Sequence, residues 1–425
     1  MVATLLLLAS ACANQPIEGT TRAIAPEEAP EVVPLAASGD LPTTTSLDMP
    51  PTTSTSPTTS VGPAFVLPKS LLDELAEAAT TTSTTTSQLP PETRAPAPTV
   101  PPTPSDPTLQ YQGFLGTLGL DTPVAAAVAP PPVAAPGTHP LTGLAGNAQT
   151  RAALVVKIDN SEAARPHTGL DAADLIIEEE VEGGITRLAA VFHSAGGDIG
   201  PVRSGRTTDI SYLSGLGRPI LAYSGANELT ETMLLRQELV QNLGALRFGA
   251  YWRSSSRRAP NNLFTSAPQL WAAAQASTPP AQFTYRAPDT ASRGRDVTAA
   301  VVAFPAVSID WVWSDTAGSW SRSQRGTAHA LVDGTTLTAA NVVVVEVAEI
   351  PTGMKDSSGA VVPEFVFVGS GPATVLSDGK AVSGVWTRPT LRDAATLTRG
   401  DGSVIELTPG VTWIEIVTPG SLQLR

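Results

Sequence analysis

The sequence predicts an α+β protein: a disordered spacer, an N-terminal mixed α/β domain with a hairpin-containing sheet, and a smaller all-β domain. Three observations carry this. Residues 13–137 are dominated by Pro, Thr, Ser and Ala, as in PTTTSLDMPPTTSTSPTTS. Between Ala152 and Ala276, apolar strand-like runs alternate with segments of helical spacing. From Val301 the apolar runs are short and β-branched, with turn pairs at Asp333-Gly334, Asp378-Gly379 and Asp401-Gly402. The expected boundaries are a signal remnant over 1–12, the spacer over 13–137, the first domain over 138–290 and the second over 291–425.

The opening run MVATLLLLASAC sets Leu5–Leu8 and three small residues ahead of Cys12, like the end of a bacterial lipoprotein signal. The basic residues that usually open such a signal are missing, as a start codon placed too far downstream would explain. Cys12 is the only cysteine, which excludes an intramolecular disulfide and a CxxC redox or zinc site. Lipidation of its thiol is the expected role. That predicts a membrane partner and a place on the outer face of the cytoplasmic membrane.

The spacer buries too little apolar surface to offset the entropy of ordering it, and its prolines favour extension. KSLLDELAEAA (Lys69–Ala79) has leucines at helical spacing but is marginal as an isolated helix. LQYQGFLGTLGL (Leu109–Leu120) is more apolar than its surroundings. Residues 1–137 hold 3 basic and 12 acidic side chains and residues 138–425 hold 23 and 27, so most of the −13 belongs to the spacer. The folded part is nearly balanced and lacks the basic stripe that nucleic-acid binding needs. No apolar run reaches the roughly 20 residues of a spanning helix.

Ala152–Asp159 reads as a buried strand, Asp174–Val181 as a second and Ile185–Phe192 as a third. Gly183-Gly184 between the last two is a turn signal, so they form a hairpin. TDISYLSGL, RPILAYSG and NELTETMLLRQEL then read as helix, strand and helix, and Ser266–Ala276 as a further helix around Trp271. In the C-terminal part VVAFPAVSIDWVW, THALVD, NVVVVEVAEI, EFVFVG, ATVLSDGKAVSGVW and VIELTPGVTWIEIV read as strands.

Charge is concentrated between Lys157 and Arg206. Alternation puts Leu175, Ile177, Glu179 and Val181 on one face of the second strand, and Ile176, Glu178, Glu180 and Glu182 on the other. Carboxylates lined up in this way repel, and need cations, solvent or raised pKa values. Arg165, Arg187, Arg203 and Arg206 are the bidentate partners at hand. Two readings stand. The residues form salt-bridged networks that fix the hairpin register, or Asp159, Asn160, Glu178, Glu180, Glu182 and Arg187 line a ligand pocket. An all-oxygen site would suit Mg or Ca, but the spacing fits no EF-hand loop, so no metal or cofactor is expected. GDIGPVRSGR sets Arg203 and Arg206 before a helix start, an arrangement suited to an anion. YWRSSSRRAPNNLFTS adds Arg253, Arg257, Arg258, Asn261 and Asn262 in a loop expected on the same surface.

The runs HPLTGL, IDNxxxARPxxGLxxADxIxExxVEGGITR, IGPVRSxR and RxxxRxxPxNL resemble the YerB-like lipoprotein family, a bacterial envelope domain of unknown function. The likeness continues through WVWSDTAGSWSRSQRGTAHALVDG, NVVVVEV, DGKAVSGVW and PGVTWIEIV, so it covers residues 139–425. It implies an anchor, a spacer and a two-part fold, and it carries no assigned activity. This chain departs from the family at two positions. His167 stands where Gln is usual in RPQSGL, and Asn261 where His is usual in PHN. A mechanism needing a histidine base at the second position would be lost here.

Nucleophilic catalysis finds little support. No serine sits in G-x-S-x-G, HExxH is absent, and the four histidines are His139, His167, His193 and His329. His193, at the end of an apolar strand, reads as structural. Paired carboxylates would suit glycan hydrolysis, with Glu178, Glu180 or Asp159 as candidates. The tryptophans, however, fall mostly in the β domain, where alternation makes them core. The leading expectation is a lipid-anchored, extracytoplasmic head that is not an enzyme and binds an anionic or cell-wall-derived ligand or an envelope partner protein. The alternatives are a carboxylate-dependent cell-wall hydrolase and a structural envelope module.

Overall fold

A computed structural model describes residues 129–287, 290–355 and 359–425. Cys12, most of the spacer and its two apolar stretches lie outside the described residues. Three strands organise the rest: β1 (Leu154–Asp159), β2 (Leu175–Glu180) and β3 (Thr186–Phe192). They belong to an 11-stranded sheet. From one edge its order is Thr396–Thr398, Lys380–Arg388, Gly369–Ser377, Asn341–Glu346, Thr412–Val417, β2, β3, β1, Ile220–Ala222 and Gln241–Asn242, with Arg295–Asp296 beside Lys380–Arg388.

β1 is apolar almost throughout because it is enclosed on both edges, antiparallel to β3 and parallel to Ile220–Ala222. The expected hairpin is present, with β2 and β3 antiparallel from Leu175 opposite Val191 to Glu180 opposite Thr186. Its connection needs glycine. Gly183 and Gly184 have φ of 79° and 68°, and a Cβ on Gly184 would lie 2.7 Å from Pro305 Cβ. The free edge of β2 pairs in parallel with Thr412–Val417, so the N- and C-terminal halves share one sheet.

Each face of that sheet has its own cover. On one side lies a six-stranded sheet that includes Ala299–Phe304, Val307–Ser314 and Ser319–Gln324. Its Val302, Ile309, Trp311 and Trp320 pack with Val156, Ile158, Ile176 and Leu188. On the other side, Ile210 and Leu213 of helix Thr208–Leu213 and Leu234 of helix Glu228–Arg236 pack with Val155, Leu175, Ile177 and Val191. Asn227 caps the second helix by accepting the Thr230 N–H at 2.8 Å. Trp311, Trp320, Trp386 and Trp413 are buried, as alternation implied.

Helix 266–276 is shorter than expected, running from Ala267 to Ala273. The segment read as one loop around Arg253–Asn262 is a hairpin, because its alternating ends pair as Tyr251–Arg253 and Leu263–Ser266. Among the described residues no helix is long and apolar enough to cross a membrane.

Candidate functional site

β2 sends consecutive carboxylates through opposite faces of the sheet. Towards the six-stranded sheet, Glu178 is fully buried and takes Arg322 Nη2 on both oxygens, at 2.9 and 2.7 Å. Its Oε1 also accepts from Asn160 Nδ2 at 3.0 Å and Thr186 Oγ1 at 2.7 Å. Arg322 reaches it because alternation along Ser319–Gln324 turns Trp320, Arg322 and Gln324 inward. Arg165 closes the network from outside, donating to Asn160 Oδ1 at 2.7 Å and to Gln324 Oε1. Burial, reinforced by Arg322, lowers the Arg165 pKa to about 10.

Two histidines extend this network. Arg322 can only donate, so at 2.8 Å it fixes His329 Nδ1 as the acceptor. His329 Nε2 then donates to His167 Nδ1 at 2.7 Å, and His167 Nε2 donates to the Asp159 carbonyl at 2.6 Å. Both rings are therefore neutral. Burial pushes His167 down to about 3 and His329 well below its usual range. A glutamine at position 167 could make the same two contacts, because its side chain also donates and accepts. Beside Glu178 in register lies Glu415, wholly buried, accepting from Trp311 Nε1 at 2.9 Å. Burial, then the Glu178 charge, raise its pKa well above the carboxylate range, which favours the neutral acid.

On the helix-covered face, Glu179 bonds Lys157 Nζ, which also lies 2.7 Å from Asp209 Oδ1 and donates to Tyr212 OH at 2.8 Å. Tyr212 OH donates to Asp209 Oδ1, and the other Asp209 oxygen accepts the Arg206 N–H at 2.7 Å. Burial raises the pKa values of Glu179 and Tyr212.

The same face carries a more open cluster. Asp159 receives the Ser161 N–H at 2.9 Å, Asn261 Nδ2 at 2.8 Å and Arg203 Nε at 3.1 Å, and Arg203 is about a third exposed (32 %). Alongside, Arg206 Nη2 meets Glu182 Oε2 at 2.5 Å and Arg187 Nη2 lies 4.0 Å from the same oxygen. Arg187 is opposite Asp159 in the ladder. Burial and the neighbouring Arg206 lower its pKa to about 10.

The residues expected to line one pocket are thus divided between the two faces of the sheet. Asp159, Glu182, Arg187, Arg203, Arg206 and Asn261 come together on one, while Asn160, Arg165 and Glu178 are tied up on the other. Glu182 is not in line with Glu178 and Glu180, because the strand ends at Glu180 and a turn begins at Glu182. Glu180 stands apart, half-buried, with its pKa raised to about 7 by burial and by Glu349. Arg253 bonds Asn262 Oδ1 at 2.7 Å within its own hairpin, and Arg257 holds the carbonyls of Ala164, at 2.8 Å, and Pro166. Among the described residues no group of three His, Cys, Asp or Glu is placed to hold a metal. Sequence reasoning missed Lys157, Asp209, Tyr212, Arg322, His329 and Glu415. A lysine inside an apolar run and a glutamate on the apolar face of β2 were the available signals.

Residues 141–280 match the family model described as "Protein of unknown function (DUF3048) N-terminal domain", and residues 300–414 match that of its C-terminal domain. Over 132 residues the chain is 33 % identical to "Putative lipoprotein YerB" of Bacillus subtilis (strain 168), covering 30 % of this chain and 39 % of that protein. The chain belongs to this YerB-like family. The sequence match therefore spans about two fifths of the YerB relative's length. The crystal structure of the YerB protein from Bacillus subtilis superposes with a TM-score of 0.59 at 22 % identity, over 68 % of this chain and 99 % of that one. At that identity the likeness speaks to the YerB-like fold alone.

Proposed function

We propose that this protein is an envelope lipoprotein, held by lipid on Cys12 to the outer face of the cytoplasmic membrane, whose folded part binds an anionic or cell-wall-derived ligand. The anchor is supported by the Leu5–Cys12 pattern and by the name of the Bacillus subtilis relative. The Pro- and Thr-rich sequence that follows Cys12 supplies reach. Binding is supported by one observation: the end of β1, the 199–206 loop and the 254–262 loop converge on Asp159, leaving Arg203 partly open to solvent. Loops positioned by a rigid sheet are where binding residues concentrate. The test is retention of the full chain on isolated wall polymer. Wild type is expected to be retained and Arg203→Ala, checked for an unchanged melting temperature, to be released. Equal retention of both, or retention of neither, overturns the reading.

Carboxylate-dependent hydrolysis of wall polymer is a second reading, favoured by the half-buried Glu180 with its pKa near 7, suited to a general acid. Zymography would show clearing that vanishes in Glu180→Gln. No clearing by the wild type ends that reading.

A further inference from the structure

Arg187 is a buried cation that is held only weakly. It is only 7 % exposed, yet its Nη1 reaches Ser204 O at a long 3.4 Å and its nearest carboxylate oxygen is 4.0 Å away. That oxygen, Glu182 Oε2, is already bonded to Arg206. Arg206 Nε and Glu182 Oε1 are buried with no hydrogen-bond partner among the described residues. Glu179, opposite Arg187 in the ladder, turns to Lys157 instead. Lys157 also holds Asp209. Arg187, Arg203 and Arg206 thus face two carboxylates, Asp159, which holds Arg203, and Glu182, which holds Arg206, and neither is within hydrogen-bonding distance of Arg187. Burying an unpaired guanidinium is costly unless an anion completes the site.

Resting on the binding surface proposed above, we infer that Arg187, Arg203 and Arg206 form the receptor for one carboxylate at the end of a ligand chain. One ligand carboxylate would give Arg187 the close partner that Asp159 and Glu182 do not. The planar guanidinium fork matches the two oxygens of a carboxylate. Access decides between singly charged oxyanions. A phosphodiester has chain on both sides, whereas a terminal carboxylate can approach end-on, which suits the near-complete burial of Arg187.

The probes are acetyl-alanyl-alanine with a free carboxylate, its C-terminal amide, and dimethyl phosphate, titrated calorimetrically into the full chain. The acid is expected to bind at least about tenfold more tightly than the amide or the phosphodiester. Arg187→Met should abolish the preference. If that variant does not fold, Arg203→Gln should weaken acid binding about tenfold at an unchanged melting temperature. Equal binding of acid and amide, no binding of either, or tighter binding of dimethyl phosphate overturns the inference. Dipeptide binding without wall retention would sink only the wall-ligand reading. Wall retention with no preference for the acid would sink only this one.

Discussion

Glu178 and Glu179, neighbours in the chain, face opposite sides of one sheet and each meets a buried cation, Arg322 and Lys157 respectively. Period-two alternation makes this unavoidable once both residues lie inside β2. The consequence is structural: Glu178 ties β2 to a strand of the six-stranded sheet, and Glu179 ties it to β1 and, through Lys157, to helix Thr208–Leu213. The charges bury because each is paired, and neither pair is open to a ligand.

Removing one partner of such a pair should cost far more than removing both. Arg322→Met leaves Glu178 as an uncompensated buried carboxylate and is expected to lose roughly 3–5 kcal/mol. The double replacement Glu178→Leu with Arg322→Met should lose distinctly less. Urea unfolding of wild type, single and double variants measures this, and simple additivity would show that the two charges do not depend on each other.

Glu415 should make the protein less stable as pH rises. Its folded-state pKa lies well above the usual 4.5, so its contribution is fully present below about 4.5 and is lost as pH climbs through the folded value. Glu415→Gln keeps an acceptor for Trp311 Nε1 and removes the titration. The variant should gain on the wild type between pH 5 and pH 8 in urea midpoint. A constant difference across that range would mean that Glu415 is ionised in the fold.

Much of the fold was legible because it is written in short-range pattern. The β2–β3 hairpin follows from two alternating runs and Gly183-Gly184, and the core tryptophans follow from alternation. The partners of the charges were not legible. Arg322 lies 144 residues from Glu178, and the parallel pairing of β2 with Thr412–Val417 depends on register that no local pattern encodes. Glu182 was misplaced because alternation was extended two residues past the end of the strand. The cluster of Asp159 with Arg203 was within reach, since the motifs that carry the family resemblance contain both. Arg187 as an under-satisfied cation was not, because satisfaction is a property of packing.

The Glu180 carboxyl should titrate near pH 7. Burial is the larger cause and Glu349 the smaller, so Glu349→Gln is expected to lower the pKa part of the way. Carbon-13 NMR of the side-chain carboxyl follows this directly. Because the folded pKa is raised, the stability that the protonated form contributes is complete below about 4.5 and declines as pH rises through about 7. A midpoint near the ordinary glutamate value would remove Glu180 as a general acid.

The histidine relay carries the opposite sign. His167 is neutral in the fold with a pKa of about 3, against 6.5 when unfolded, so acid favours the unfolded chain. Its contribution is fully present above pH 6.5 and is lost as pH falls from 6.5 towards 3, at up to about 1.4 kcal/mol per pH unit. His167→Gln preserves both contacts: the amide donates to the Asp159 carbonyl, and its oxygen accepts from His329 Nε2. The variant should therefore fold normally at pH 7.5 and show a shallower loss of stability between pH 6 and pH 4, by about one proton. His329 keeps the remaining acid sensitivity, since it too is neutral and buried. An unchanged acid slope in His167→Gln would show that the ring at position 167 takes up no proton on unfolding, and the neutral relay from Arg322 to Asp159 would have to be redrawn.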